Sequence, residues 1–276
     1  MSRPTIGRED LEALLAAHPG ERPLREAFEG ATEPIRFLCV LGRYVQFNSA
    51  FGPGLANLAG EIAARQGLFR DPEEPVRILA DRAAEVGSAF FFAAIDEFDD
   101  RGTHWRDTHR TLAQATVKGA GAFFGYAPEQ LNDVIAINPA TEAAMARVGE
   151  GYGLGAHLDE KRLFSAMGFH TGSEILADRE FLAIDRVLRE KRPDLVEALR
   201  SRKVEILGEK HDAYYWIHIH TGVEAEHFDA ALRGVNSALL FYAGDRDPLE
   251  VKRVMLDGFA RFAEVQAGFM AALAEP

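Results

Sequence analysis

The chain has 276 residues, 47% of them hydrophobic, enough to bury a sizeable core in one domain. Its formal charge of −12, from 43 acidic against 31 basic residues, argues against a nucleic-acid partner, which would need a basic face. The single cysteine, Cys39, excludes an intramolecular disulfide and a thiolate metal cluster, and reads as a small buried apolar residue between Leu38 and Val40.

Met1-Ser2-Arg3-Pro4 has no apolar run behind it, so no secretory signal is expected. No stretch reaches the roughly 18 consecutive apolar residues of a membrane-spanning helix. A cytoplasmic protein without a membrane partner is the expectation.

In chain order, Leu11, Leu14 and Leu15 start an apolar helical stripe. Phe37, Val40, Leu41, Tyr44, Val45 and Phe51 mark a second helix or helix pair, interrupted at Gly52-Pro53-Gly54, and Leu55, Leu58, Ile62 and Ala63 follow at helical spacing. Asp71-Pro72-Glu73-Glu74-Pro75 predicts a helix start, because proline and acidic residues favour a first turn. That helix is expected to run through Ile78 and Leu79 to Phe90-Phe91-Phe92 and Glu97. Asp99 to Thr103 is a break, and a new helix begins near Thr108 with Leu112, Ala115 and Val117. Asn138-Pro139 is another start, and Gly149 to Gly155 a connection. A long helix is predicted from about Lys161 to Leu188, a short one from Asp194, another from Lys210 to Leu232, and a last one from Leu249 to Leu273. Val134–Ile137 and Val204–Leu207 are the best strand candidates, and both are short enough to be helical. The simplest reading is one all-α domain, residues 1–276, of about eight or nine helices.

The chemistry concentrates in His220-Thr221-Gly222-Val223-Glu224-Ala225-Glu226-His227. His220, Glu224 and His227 sit at i, i+4 and i+7, on one face of a helix. Two imidazoles and a carboxylate converging from one helix suit a transition metal. Glu97, after a mostly apolar stretch, and Glu174, among small and apolar residues, are further carboxylates expected to point inward. A histidine from the segment Thr103 to Leu112, either His104 or His109, is the last candidate. A helix bundle placing such groups in its core can hold two metal ions, and a carboxylate-rich set without sulfur favours iron over zinc. His170 shares the face of Glu174 and reads as a packed core histidine. Arg101, Arg106 and Arg110 flank the histidine candidates; they read as solvated arginines at a helix start, the alternative being a bidentate grip on a substrate carboxylate.

Taken in order, these residues resemble the haem-oxygenase-like di-iron oxygenases, a family of iron-containing redox enzymes. The resemblance spans about residues 35–260 and rests on Asp96-Glu97-Phe98, on His109 to Leu112 followed by Gly119-Ala120-Gly121, on Gly168 to Glu174, and on the His220–Glu224–His227 spacing. Glu224 stands where the family more often has Asp, and His104 fits one family spacing while His109, which is preferred, fits the pattern of the following leucine. The resemblance implies a haem-oxygenase-like bundle with a seven-helix core. It implies two Fe(II) ions held by Glu97, His109, Glu174, His220, Glu224 and His227, with O2 as co-substrate. Glu97, Glu174 and Glu224 would be the catalytic carboxylates that neutralise and bridge the metals. It further implies an oxidised small molecule, an amino acid or amine, through N-oxygenation or oxidative C–C cleavage. An external electron donor and a homodimer are partner expectations of the same kind. The rival expectation is a metal-free binding or hydrolytic protein on the same scaffold, of the thiamin-salvage or quinone-cofactor type. A third is a metal-stabilised interaction protein.

Overall fold

The computed structural model describes residues 3–275, except the side chains of Val223 and Glu224. Twelve α-helices follow one another among the described residues: α1 (Arg8–Leu14), α2 (Arg22–Gly30), α3 (Pro34–Phe47), α4 (Phe51–Ala63), α5 (Ala83–Phe98), α6 (His109–Phe123), α7 (Leu131–Val134), α8 (Pro139–Gly151), α9 (Glu160–Lys191), α10 (Pro193–Ser201), α11 (Tyr215–Phe241) and α12 (Pro248–Ala272). Four starts carry a side-chain cap: Thr108, Asn138, Asp159 and Asp247 each accept a hydrogen bond from a backbone N–H of the following turn. Such caps contribute about 1 kcal/mol each and fix where a helix begins.

The axis of the bundle is α9, whose 32 residues span about 48 Å at 1.5 Å per residue. It packs along α11 and α12, while α4 pairs with α5, α5 leans on α11 and α4 on α9, and α6 closes against α5 and α11. One apolar cluster runs from Ile6 through Phe37, Phe90 and Phe164 to Leu273, so both chain ends join the same core.

The α9–α12 contact is close enough for backbone to touch backbone. A Cβ on Gly168 would lie 1.7 Å from the Met255 carbonyl oxygen, and one on Gly258 would lie 2.0 Å from that of Ser165. Neither carbonyl can swing aside as a side-chain end could, so the two helices would have to separate. Gly168→Ala is therefore expected to destabilise the fold by about 3 kcal/mol, the upper end for overpacking a core. Denaturant unfolding reads this directly, and a loss below about 1 kcal/mol would show the helices part easily.

Several expectations are corrected. The count exceeds eight or nine, and α2 and α7 are the short helices that the apolar pattern did not announce. The break between α3 and α4 falls at Asn48–Ala50, a 3-10 turn, and Gly52-Pro53-Gly54 lies inside the first turn of α4, where proline is tolerated. The helix expected from Asp71 starts at Ala83, since Ile78 and Leu79 are 86% and 57% exposed in a surface turn. Residues 209–212 are not the start of a helix: strand β1 (Lys203–Ile206) pairs antiparallel with β2 (Glu209–Asp212), Val204 opposite His211. The two-residue turn between them holds Leu207 at φ 54 and Gly208 at φ 85, the double left-handed geometry of a tight hairpin. No helix of the described residues is long and apolar enough to cross a membrane.

Candidate metal centre

The first donor group is built by a short return. α5 ends at Phe98, one residue after Glu97, and the chain doubles back to begin α6 at His109. The turn is tied internally: Asp100 N–H donates to the Asp107 carbonyl at 2.9 Å, and Asp107 N–H donates to Thr103 Oγ1 at 2.8 Å. His109 is thereby buried, its Nδ1 3.3 Å from Glu97 Oε1 and its Nε2 3.4 Å from Asp100 Oδ2. His220 reaches the same place from α11. Its ring stacks on Phe181 of α9 at 4.1 Å, and its Nδ1 lies 2.6 Å from the Trp216 carbonyl. A carbonyl only accepts, so Nδ1 carries the proton and Nε2 is left with its lone pair. Glu97, His109 and His220 each offer a ligand atom, and these atoms lie within 4.8 Å of one another.

The second group lies beside it. Glu174 of α9 is buried, with Oε1 3.1 Å from His170 Nδ1 and Oε2 3.6 Å from His227 Nδ1. His227 Nε2 is 3.0 Å from Asp96 Oδ2. A cavity of about 30 Å³ is lined by Glu97, Glu174, Glu180, His220 and His227, with Phe51, Phe181 and Phe262 among its apolar walls. Both donor groups thus border one small space, wide enough for one or two water-sized species. The Glu224 side chain lies outside the described residues. His104 sits on the exposed return, its ring 4.6 Å from Trp105, so His109 and not His104 meets Glu97. His211 is buried away from the centre, 3.1 Å from Asp107, and His218 is exposed.

Three positions escaped the sequence reading. Asp96 and Asp100 bracket Glu97 and hold the outer nitrogens of His227 and His109. Glu180 is buried at the same cavity, accepting from Tyr44 Oη at 2.8 Å and Gln266 Nε2 at 2.7 Å. The first two sit beside Glu97, and their acidity there was the only available signal. Glu180 is six residues from Glu174, off its helical face, and gave none.

The histidines share one arrangement. Each turns one nitrogen toward the carboxylate cluster, and a carboxylate or carbonyl meets the other: Asp100 for His109, Trp216 O for His220 and Asp96 for His227. Metal-binding histidines are held this way, which fixes tautomer and ring direction. Nitrogen and oxygen donors without sulfur suit iron or manganese, so the residues present fit such an ion.

Electrostatics point the same way. Burial disfavours the charged form of His109, but Glu97 and Asp100 on either side outweigh it and raise the pKa from 6.5 to about 10. Burial also opposes the charge on Asp100, yet the His109 imidazolium 3.4 Å away and the hydrogen bond from the Gly102 N–H hold its pKa below the ordinary carboxylate value. The sign for stability is definite. The raised His109 value stabilises the metal-free fold fully below pH 6.5, and that share is lost as the pH climbs through about 10. At pH 7.5 the imidazolium must release its proton to the solvent before its nitrogen can bind a metal. Binding of Fe(II) or Zn(II) is expected to release about one proton from this site and to tighten as pH rises. Calorimetry in buffers of different ionisation enthalpy measures the count, and a value near zero would show that His109 takes no part.

Above this floor lies a pocket of about 270 Å³, walled by Val45, Pro53, Phe98, Ala113 and Trp216 and opening on Glu97, His109 and His220.

No protein-family model matches the chain, and no curated protein matches it. Among solved structures, the chain is similar to a CADD-like protein of unknown function from Nostoc punctiforme. The two share 15% identity over 97% of this chain and 95% of that one, with a TM-score of 0.62. At that identity the likeness speaks for the fold, and the chain is an all-α helical bundle like its neighbour.

Proposed function

We propose that this protein is an O2-activating non-haem di-iron oxygenase or oxidase of a small molecule, on a haem-oxygenase-like scaffold. The observation that carries the proposal is the convergence of Glu97, His109 and His220 within 4.8 Å at the floor of an apolar pocket. Glu97, His109 and His220 would hold one iron. Glu174 and His227 would hold the second, with Glu224 as the third ligand that the family resemblance implies. Iron bound there would supply the O2 chemistry.

The chain's own residues set the conditions. Phe51, Phe181 and Phe262 form apolar walls of the inner cavity. Trp216 O fixes the protonated tautomer of His220. The carboxylates offset the charge of the ions. The pocket above admits a substrate to the Glu97 side, and an amino acid or amine undergoing N-oxygenation stands ahead of oxidative C–C cleavage.

A metal-free protein of the thiamin-salvage or quinone-cofactor type has one observation in its favour: His109 between Glu97 and Asp100 closes an ion-pair cluster without an ion. One titration separates the readings. Adding Fe(II) anaerobically to metal-free protein, then admitting O2, is expected to give near-stoichiometric binding of about two irons and an O2-dependent absorbance change. Absence of both sinks the di-iron reading.

A further inference from the structure

The return between α5 and α6 carries three arginines, and the structure separates them. Arg106 pairs with Asp99 on the surface, and Arg101 is exposed and lies away from the pocket lining. Arg110 lines the 270 Å³ pocket. Its Nη1 donates to the Val45 carbonyl at 3.1 Å and its Nη2 to Gln46 Oε1 at 3.1 Å. Both partners belong to the last turn of α3, where helix carbonyls lack helical donors. The guanidinium is thus pinned in place by neutral acceptors, and among the described residues it makes no ion pair. Of its five N–H donors, two are used in this way and the others remain for a ligand.

His109 and Arg110 are neighbours on α6, and successive helical side chains diverge by about 100°. His109 turns to the buried floor beside Glu97, while Arg110 stays exposed at the rim. The ionisable groups at this pocket are Glu97, His109, His220 and Arg110. On the reading above, the first three are committed to the metal. Arg110 is then the charge left for a substrate, placed at the rim where this pocket meets an outer cavity that Gln46 also lines.

We infer that Arg110 is the substrate anchor of this pocket, and that the substrate is a small organic acid. Its carboxylate rests on the guanidinium at the rim and its oxidisable end points inward to Glu97, His109 and His220. This rests on the proposed function for the identity of the inner end. The rim contact itself needs no metal. An acid entering in this sense does not place its carboxylate on the metal ligands, which distinguishes the arrangement from one in which the acid group coordinates iron. The pocket and an outer cavity of about 380 Å³ share Val45 and Arg110, so the rim also opens toward solvent along α3 and α6.

The test uses 4-phenylbutanoate and its neutral amide, 4-phenylbutanamide, bound to chelator-treated protein and again to the Zn(II)-loaded protein, by calorimetry or ligand-observed NMR. The acid is expected to bind at least tenfold tighter than the amide in both states, the size of a charge-assisted contact. Arg110→Gln is expected to bring the ratio to about one. Arg110→Lys keeps the charge without the planar fork and lowers the ratio several-fold, which reads the proposal even where the glutamine variant does not fold. Ser49→Phe, narrowing the pocket, weakens both probes. Equal affinity for acid and amide in the wild type, no acid binding at millimolar concentration, or a preference that survives Arg110→Gln overturns the assignment. So does a preference that appears only with Zn(II) and persists in Arg110→Gln, since the carboxylate then sits on the metal. Because the ratio is read on metal-free protein, failure of the iron chemistry and failure of the anchor are seen separately.

Discussion

Replacing His220 by Ala is expected to weaken Fe(II) binding at the Glu97 site by more than about a hundredfold. Removing an outer partner of a metal ligand typically costs ten- to a hundredfold, and loss of a ligand itself should exceed that. His220 contributes a nitrogen whose lone pair is freed for the cluster by the Trp216 carbonyl, on a ring fixed by stacking against Phe181. Alanine leaves two donors of the described cluster, Glu97 and His109. His104→Ala is the matched control: its ring lies on the exposed return, and affinity should stay within about twofold of wild type. Equilibrium titration with Fe(II) under anaerobic conditions gives both numbers. Equal affinity for wild type and His220→Ala would contradict the ligand assignment.

The second large effect concerns a residue that touches no metal in this account. Asp100 is buried, with its Oδ2 3.4 Å from His109 Nε2, and its Oδ1 accepts from the Gly102 N–H at 2.7 Å and the Tyr215 hydroxyl at 3.4 Å. Burial and the Asp100 charge push the Tyr215 phenol up to about 12, so it stays a donor at neutral pH. Asp100 is thus a positioning residue that sets the direction and tautomer of His109. Asp100→Asn keeps the shape and removes the charge. It is expected to lower metal affinity ten- to a hundredfold and to shift the visible bands of a Co(II)-loaded sample. Asp100→Glu should restore part of the affinity. A variant with a lower melting temperature but unchanged affinity and Co(II) spectrum would leave Asp100 a purely structural carboxylate.

What could be read from sequence follows from how local each signal is. The starts of α6, α8 and α12 were legible because Thr108, Asn138 and Asp247 are caps whose bonds lie within the next turn. The His220 to His227 spacing was legible for the same reason, since one helix fixes it. Of the β1–β2 hairpin, Val204–Leu207 was legible as a strand candidate and is realised as β1, Lys203–Ile206, but the pairing and the second strand were not. Its turn begins with Leu207 at φ 54, a conformation leucine seldom adopts, and no Asn-Gly or Asp-Gly pair announced it. The start of α5 was misplaced because Ile78 and Leu79 look like a core stripe, while tertiary packing leaves them in solvent. The choice between His104 and His109 depended on how far the return folds back, which is a matter of the Asp100–Asp107 bond rather than of periodicity. Asp96 and Asp100 gain their roles from histidines 131 and 9 residues away, contacts that neighbouring residues do not reveal.

The central claim is that two metal ions sit between α5, α6, α9 and α11. Anomalous diffraction at the iron edge from a crystal soaked in Fe(II) tests it most directly. The account predicts two buried peaks, one among Glu97, His109 and His220 and one against Glu174 and His227. A map with no peak at Glu97, His109 and His220, or with iron confined to surface carboxylates, would contradict it.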